Sequence, residues 1–464
     1  MVQALVPEFE RTHPGIRVTV QQIPFSAAHE KLLTSVVGRA TPDIAQLGNT
    51  WVPELVALRA LAPLDSMLAR SSTIARDDYF NGIWDTNVLR GATYGVPWYV
   101  DTRVLFYRSD LLADAGVPTA PATWSEWRDA MRRIRARAGG HRYGILLPVN
   151  EWAQPIILGL AVGAPLLRDH DGYGDFSEPH FRAAFAFYVS LFRDSLAAPI
   201  SNTQIANMYQ SFANGDFAMF ISGPWDVGEC LRRLPPALRG RWATAPMPAW
   251  DAESGALAGP LAGPLAGPLA GARAGPRAGA RDTTTPGISL AGGSSLVVFR
   301  GSAHPEAAWA FIEYLSDSTR QARFYALTGD LPSRRSAWRD SALAGDPYAR
   351  AFRRQLQFVR ATPKIPEWDE ITTLITDHSE AAVRGGTPPD SALAALDRDV
   401  DQALEKRRWL QRREQSHDQA QDRAQDRAQD QAQDQAQDRV HEQPRKQAPE
   451  HANVRDSGAS TGAE

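Results

Sequence analysis

The sequence has only one cysteine, Cys230, among its 464 residues. A single cysteine excludes an internal disulfide and any metal site built from a cysteine cluster. An excess of one charge is also lacking, because 50 Lys and Arg face 53 Asp and Glu and the formal net charge is −3. This balance gives no electrostatic reason to expect a nucleic acid or an anionic membrane surface as a partner.

Long apolar segments are absent as well. The longest run, Ile156–Leu167, has 12 residues and includes Gly159, Gly163 and Pro165. It is too short to span a bilayer and predicts a buried helix followed by a turn. Residues 1–30 contain no basic segment followed by an apolar one, so no secretory leader is visible in them.

Motifs of the common enzyme classes are missing. The chain contains no Walker loop and no HExxH, GxSxG or GxGxxG sequence. The histidines are scattered singly or lie near the C-terminus, so we predict no metal site and no cofactor. Paired carboxylates are harder to exclude, because Asp101 and Glu151 lie near aromatic residues and a glycosidase needs two carboxylates flanking a sugar bond.

What the chain does contain is a regular alternation of short apolar runs with helical patterns. Strands are predicted at residues 17–23, 43–48, 104–107, 142–148, 217–221, 242–247 and 295–299. Helices are predicted from residue 2 and at residues 27–38, 54–58, 123–137, 181–193 and 305–315. Thr123 with Glu126 three residues later indicates a capping box. The alternation predicts an α/β fold with mostly parallel sheets, and the length suggests two such lobes.

Two segments break this alternation. Residues 257–281 repeat units such as LAGP and RAGP, and this density of proline and glycine predicts a low-complexity insertion in a surface loop. Residues 411–464 include a run of DQAQ and DRAQ units with no apolar residue larger than alanine. Such a segment cannot bury a core, so we predict a disordered C-terminal tail.

Aromatic, polar and glycine residues recur together at the ends of predicted strands. The five places are Gly48–Trp51, Trp98–Asp101, Asn150–Trp152, Ser222–Asp226 and Ala291–Ser295. In open α/β sheets, ligands lie outside the carboxyl ends of the strands. Sugar rings present C–H faces that stack on aromatic rings and hydroxyls that need acceptors such as Asp, Glu and Asn. The repetition favours a sugar-binding cleft, although any single tryptophan here could equally fill the core.

The segment around Asp101 leaves two interpretations open. In an extended chain Tyr99 and Asp101 share one face, whereas Trp98 takes the other. We therefore predict that Tyr99 and Asp101 face the cleft and that Trp98 packs inside. Arg103 lies on the same face as Asp101, so a local ion pair between these two residues is the alternative to a ligand contact.

Several segments occur in an order that is more specific than any one of them. They are PEFERTHPGIRV, YGVPWYVDTRVLFYRSDLLADAGV, SGPWDVGE, SLAGGSSLVVFRGSAHPEAAWAFIEYLS and TGDLPSRRSAW. Together they resemble the family 1 extracellular solute-binding proteins of ABC sugar importers, in particular the maltose- and trehalose-binding group. The resemblance spans residues 2 to about 410.

The resemblance implies a two-lobed periplasmic-binding-protein fold that closes on a sugar. The first lobe would comprise residues 1–102 plus 287–316, and the second residues 103–280 plus 317–410. Hinge crossings would fall near residues 101–104 and 286–290. Members of the family normally begin with a leader and a first strand, so the first lobe is expected to be truncated at its N-terminal end.

The resemblance also implies a set of sugar-binding residues. They are Phe25, His29, Asn49, Thr50, Trp51, Tyr99, Asp101, Glu151, Trp152, Trp225, Gly292, Gly293, Asp330, Arg334 and Trp368. The implied protein is a non-enzymatic, monomeric, periplasmic or extracytoplasmic receptor. It would deliver a mono- to oligosaccharide to the membrane permease subunits of an ABC importer, without binding nucleic acid.

Two alternatives remain beside this receptor. One is a degenerate, non-binding remnant of such a receptor. The other is a glycoside hydrolase that uses Asp101 and Glu151.

Overall fold

The computed structural model describes residues 2–205, 207–251, 253, 285–413 and 416. The predicted loop insertion at residues 257–281 lies outside the described residues, as does nearly all of the predicted tail. The described residues fall into two units, which divide between Leu404 and Glu405. In the second unit residues 405–413 are helical. The first three residues of the predicted disordered tail are therefore ordered, because Leu, Arg and Gln in this stretch are good helix formers.

Helices make up much of the first unit. The α-helices are α1 (Val6–Thr12), α2 (Phe25–Val37), α3 (Val52–Ala57), α4 (Asp65–Leu68), α5 (Asn81–Asp85), α6 (Ser109–Asp114), α7 (Trp124–Arg137), α8 (Ala153–Ala161), α9 (Pro179–Arg193), α10 (Met208–Asn214), α11 (Trp225–Arg233), α12 (Pro305–Ser316), α13 (Ser318–Thr328), α14 (Ser341–Gly345), α15 (Ala349–Gln355), α16 (Trp368–Val383) and α17 (Pro389–Ala403). Within the described residues, none of the helices is both long and apolar enough to cross a bilayer.

The strands are short. They are β1 (Ile44–Gly48), β2 (Val88–Leu89), β3 (Ala92–Thr93), β4 (Val96–Val100), β5 (Val104–Arg108), β6 (Tyr143–Leu146), β7 (Leu167–Arg168), β8 (Tyr173–Gly174), β9 (Phe217–Ser222), β10 (Trp242–Ala245), β11 (Ser289–Leu290), β12 (Gly293–Val298), β13 (Leu331–Pro332) and β14 (Val359–Arg360). Two four-stranded sheets result, with the strand orders β1-β12-β4-β13 and β10-β5-β9-β6. We call them the first and the second sheet.

The expectation of mostly parallel sheets is wrong. All ladders of the first sheet are antiparallel, and in the second sheet only β6 and β9 run parallel. A parallel pair needs a crossover connection, usually helical, and helices α8 to α10 provide one between β6 and β9. The other pairs join segments that return from distant parts of the chain, as when Ile44 of β1 pairs with Val298 of β12.

The strand predicted at Arg17–Ile23 does not form. Its alternation is real, because Val18 and Val20 pack partly buried against the core. However, the backbone N–H of Val18 donates to the Glu10 carboxylate at 2.9 Å instead of to a neighbouring strand. An alternating sequence becomes a strand only where a partner meets its backbone groups.

Each sheet has its own apolar packing. Leu47, Val52, Leu55 and Val297 form a fully buried group around β1 and β12 of the first sheet. Trp98 is 4% exposed and packs on Phe324 with ring centroids 4.3 Å apart, as predicted for a packing residue. The second sheet is covered by a larger core that includes the aromatic face of α9, namely Phe181, Phe185, Tyr188 and Phe192.

The chain passes from the first sheet to the second between Val100 and Val104, in the region of the first predicted hinge crossing. The predicted lobe boundary at Ser316 does not follow the sheets. Leu331 and Pro332, which were expected in the second lobe, pair with β4 of the first sheet. Their two-residue strand is too short to give a recognisable alternation in the sequence.

The capping pair predicted at the start of α7 can be tested by mutation. Thr123 Oγ1 accepts the N–H of Glu126 at 3.3 Å, and the Glu126 carboxylate accepts the N–H of Ala122 at 2.8 Å. We expect Thr123→Ala to lower the free energy of unfolding by about 1 kcal/mol, because an N-cap acceptor is lost. Urea denaturation measures the change. Thr123→Ser is the matched control and should remain close to the wild type; equal losses in both variants would contradict the capping role.

Candidate functional site

A cavity of about 180 Å³ lies beside the crossing between the two sheets. It is lined by Phe25, Gly48, Asn49, Thr50, Trp51, Pro53, Thr86, Asp101, Arg103, Trp152, Leu290, Ala291, Gly292, Gly293, Ala361, Thr362, Pro363 and Lys364. The structure thus brings eight of the predicted binding residues to one cavity. These are Phe25, Asn49, Thr50, Trp51, Asp101, Trp152, Gly292 and Gly293.

An aromatic wall stands at the carboxyl end of β1. Gly48 ends that strand, and the next three residues form a 3-10 turn that carries Trp51 to the cavity. The Trp51 ring stacks with the Phe25 ring at 4.6 Å and with the His29 ring at 5.0 Å between centroids. Phe25 lines the cavity and remains 59% exposed, so an apolar ring face is available for a ligand.

Two glycines make room for the chain crossing. A Cβ added to Gly292 would lie 1.8 Å from Oδ1 of Asp101, and a Cβ added to Gly293 would lie 2.3 Å from the carbonyl oxygen of Tyr99. Gly293 also has a φ of +139°, which side chains rarely tolerate. The N–H of Asp101 donates to the carbonyl of Gly292 at 3.2 Å. The two crossing segments therefore approach closely only because both positions are glycine.

Asp101 keeps most of its hydrogen-bonding capacity. Arg103 Nη1 donates to the backbone carbonyl of Asp101 at 2.7 Å, whereas its distance to the carboxylate Oδ1 is 3.8 Å. A separation of 3.8 Å is beyond hydrogen-bond reach. The Asp101 side chain retains 31% of its exposure, so the ion pair with Arg103 is present without occupying the carboxylate.

Asn49 offers an unused donor in the same cavity. Its Oδ1 accepts the hydroxyl of Ser295 at 3.1 Å, which orients the amide. Its Nδ2 is buried and has no hydrogen-bond partner among the described residues. A buried donor without a partner costs free energy, so a ligand hydroxyl that accepts from Asn49 would relieve that cost.

Trp225 was predicted as a sugar-binding residue and does not line the cavity. Its ring lies under the guanidinium group of Arg103, with 4.4 Å between Cζ and the ring centroid. A Cβ on Gly223 would lie 2.0 Å from the same ring, so the indole folds back over that glycine. Trp225 is nevertheless 42% exposed. It therefore contributes to the site through Arg103, which does line the cavity.

The opposite wall comes from the loop before α8. Trp152 lines the cavity and contacts the fully buried Trp368 edge to face at 6.0 Å, so Trp368 supports a ring of the site without facing the cavity. Glu151 lies outside the lining, where its carboxylate accepts from Asn202 Nδ2 at 3.0 Å. Asp101 and Glu151 consequently do not form a carboxylate pair in this cavity.

His29, Tyr99, Asp330 and Arg334 also lie outside the lining. The Tyr99 hydroxyl accepts from Gln46 Nε2 at 2.7 Å, and burial raises the Tyr99 pKa above its ordinary value. Arg334 pairs with Asp78 at 2.7 Å and donates to the carbonyl of Ser316 at 2.8 Å, so it anchors the first sheet's surroundings.

Burial dominates the electrostatics near the crossing. It raises the pKa of Asp101, and the positive charge of Arg103 opposes that rise. Burial also raises the pKa of Asp330 to about 6; a hydrogen bond from Thr328 opposes this shift, while the charge of Asp101 adds to it. No group of three or more His, Cys, Asp or Glu side chains in the described part of the chain could hold a metal ion.

The segment Ala361–Lys364, which follows β14, completes the lining of the cavity and was not predicted from the sequence. Lys364 Nζ donates to the carbonyls of Asp85 and Val88 and lies 3.2 Å from the Asp85 carboxylate. These bonds fix the segment against α5. The segment contains no aromatic residue, and the strand before it, β14, has only two residues. Neither an aromatic residue nor an alternating pattern could therefore identify it from the sequence.

Comparisons with known proteins agree on one family. The sequence pattern of the family described as bacterial extracellular solute-binding protein matches residues 2–322. The chain is 44% identical to the sugar-binding protein MalE of Xanthomonas citri, whose solved structure matches with a TM-score of 0.79 over 88% of this chain and 95% of that chain.

Curated relatives are more distant. The chain is 25% identical to the diacetylchitobiose-binding protein DasA of Streptomyces coelicolor over 395 residues, which are 84% of this chain and 83% of that protein. It is also 25% identical to the galactooligosaccharide-binding protein of Bacillus subtilis over 422 residues, 87% of this chain and 85% of that protein.

The buried carboxyl of Asp330 predicts a pH-dependent stability. Its folded pKa of about 6 lies above the ordinary value of 3.8, so ionisation at neutral pH disfavours the folded state. We expect Asp330→Asn to raise the free energy of unfolding by about 1–2 kcal/mol at pH 8, with the gain vanishing near pH 4. Urea denaturation at both pH values measures it. A gain that is independent of pH would contradict this explanation.

Proposed function

The chain belongs to the bacterial extracellular solute-binding proteins, and on that premise we propose that it is a sugar receptor of an ABC importer. It binds a mono- to oligosaccharide outside the cytoplasm and delivers it to the permease subunits in the membrane. Its fold is the two-lobed α/β fold of periplasmic binding proteins. The sugar-binding names of the similar proteins support this substrate class.

The observation that carries the proposal is the composition of the cavity. Aromatic rings of Phe25, Trp51 and Trp152 share it with the carboxylate of Asp101 and with Asn49, whose amide donor has no partner within the described part of the chain. Sugars need this combination, because their C–H faces stack on aromatic rings while their hydroxyls both donate and accept hydrogen bonds. A purely apolar ligand would leave Asp101 and Asn49 desolvated without a partner.

The mechanism of lobe closure follows from the elements that supply the two walls of the cavity. Phe25 and Trp51 belong to elements packed around the first sheet, whereas Trp152 packs against the core of the second sheet. A sugar that contacts both walls gains binding free energy only when they are close together, so it favours the closed arrangement of the two lobes. The permease then recognises the closed receptor.

The family is one of solute-binding proteins, and the protein is not an enzyme. A glycosidase would need a second carboxylate beside Asp101, and Glu151 is engaged with Asn202 outside the cavity lining. We further propose that the receptor acts as a monomer in the periplasm or an equivalent extracytoplasmic space. The alternative of a non-binding remnant gains no support from a cavity that retains its aromatic and polar groups.

A panel of sugars tests the function directly. We expect at least one of maltose, trehalose, diacetylchitobiose and a galactooligosaccharide to raise the thermal unfolding midpoint of the purified protein. A ligand at 100 times its dissociation constant stabilises a folded protein by about 2.7 kcal/mol, which a thermal-shift assay detects. Glycerol at the same concentration is the control for unspecific effects. If no sugar at millimolar concentration shifted the midpoint, the remnant interpretation would replace the receptor.

Asp101 provides the test of the site. We expect Asp101→Asn to weaken binding of the best panel sugar by about 1–3 kcal/mol, because a charged acceptor for its hydroxyls is lost. Isothermal titration calorimetry measures the affinity. Asp377→Asn on the exposed side of α16 makes the same chemical change away from the cavity and should bind as the wild type does. Wild-type affinity in Asp101→Asn would remove Asp101 from the site.

A further inference from the structure

His29 lies between two carboxylates and against an aromatic residue of the cavity wall. Its Nε2 is 2.7 Å from Glu54 Oε2, and its Nδ1 is 3.5 Å from Asp369 Oδ2. Its ring stacks with that of Trp51, with an interplanar angle of 15°. His29 itself does not line the cavity. His29 therefore lies between Trp51 of the aromatic wall and the carboxylates of Glu54 and Asp369.

The two carboxylates belong to different sides of the molecule. His29 on α2 and Glu54 on α3 are carried by helices whose apolar faces pack around Leu47 of the first sheet. Asp369 lies in the first turn of α16, whose Trp368 and Ile371 are buried in the core of the second sheet. The contact between His29 and Asp369 thus bridges the two walls between which a ligand would be held.

We propose that His29 is a positioning residue that, when protonated, ties Asp369 on one lobe to Glu54 and Trp51 on the other and thereby strengthens sugar binding at mildly acidic pH. This inference rests on the proposed sugar-binding function. It adds to that function a pH dependence of affinity carried by an interlobe contact.

The chemistry of imidazole gives the direction of the effect. Both ring nitrogens donate only in the protonated form, whereas the neutral ring has one donor and one acceptor. A protonated His29 can therefore serve Glu54 and Asp369 together, while a neutral His29 leaves one carboxylate facing a ring nitrogen lone pair. Histidine is the side chain that commonly changes charge near neutral pH, so loss of the proton from the ring with rising pH would weaken the bridge.

Asp369 limits the effect on the acidic side. Burial raises the pKa of Asp369, the charge of Glu54 adds to the rise, and His29 opposes it. Protonation of Asp369 in acid would remove the partner of the imidazolium on the second wall. Affinity should consequently also fall in acid once Asp369 is protonated.

The chain contains a matched control for the same pair of side chains. His378 Nε2 lies 2.7 Å from Asp399 Oδ2, and both residues belong to helices α16 and α17, which pack together in one core. That pair is as short as the contact of His29 with Glu54 but does not bridge the two sheets. Replacing His378 therefore removes a comparable ionic contact without touching the cavity walls.

The test measures affinity against pH for wild type, His29→Gln, Asp369→Asn, the double variant and His378→Gln. Calorimetric titration with maltose, or with the panel sugar that binds tightest, is performed from pH 5.5 to 8.5. We expect the wild type to lose about two- to fivefold in affinity between pH 6 and 8, as suits a partly exposed charge pair. His29→Gln and Asp369→Asn should be flat over this range, the double variant should add nothing further, and His378→Gln should follow the wild type.

The opposite results would overturn the inference. An unchanged pH slope in His29→Gln, or independent and additive effects of the His29 and Asp369 substitutions, would reduce His29 to a local support of Trp51. If no panel sugar binds, the sugar-binding proposal fails on its own. The bridge is then tested by the pH dependence of the unfolding coupling between His29→Gln and Asp369→Asn, where zero coupling at pH 6 contradicts it.

Discussion

The close approach of Asp101 and Gly292 is the constraint on which the site depends. The chain leaves the first sheet after Val100 and returns to it at Gly293, and the two crossing segments contact each other where a side chain on Gly292 would collide with the Asp101 carboxylate. This contact places a carboxylate at the junction of two sheets, where both contribute walls. The aromatic and polar groups of the cavity are arranged around that junction.

The same junction explains why the carboxylate of Asp101 can still accept a hydrogen bond from a ligand. Asp101 is close enough to Arg103 for electrostatic stabilisation, yet its carboxylate is not hydrogen-bonded by that guanidinium. Arg103 is held instead by the Asp101 carbonyl and by the face of Trp225. Because Arg103 packs on the indole of Trp225, the carboxylate of Asp101 is left facing the cavity. A sugar hydroxyl is a suitable hydrogen-bond partner for that carboxylate.

Much of the architecture could be predicted from local sequence signals. The capping pair Thr123 and Glu126 predicted the start of α7, and the helix predicted at residues 181–193 forms as α9 with a buried aromatic face. Strand direction could not be predicted, because alternation is the same in parallel and antiparallel strands. The segment Arg17–Ile23 shows a related limit, since its alternating residues pack on the core while its backbone finds no strand partner.

The candidate site was predictable where aromatic and polar residues follow a strand, as at Asn49–Trp51 and at Trp152. It was not predictable where tertiary structure supplies the lining, as at Ala361–Lys364, or redirects a side chain, as at Trp225 and Arg334. The resemblance to a family located the neighbourhood of these residues. Which of them face the cavity depends on packing between segments hundreds of residues apart.

A crystal structure of the protein with a bound sugar would test the proposed binding site most directly. We expect a sugar ring in the cavity between the two sheets, with a C–H face against Phe25, Trp51 or Trp152 and a hydroxyl within about 3 Å of the Asp101 carboxylate. A sugar bound elsewhere on the chain, or in this cavity with Asp101 bonded only to Arg103, would contradict it.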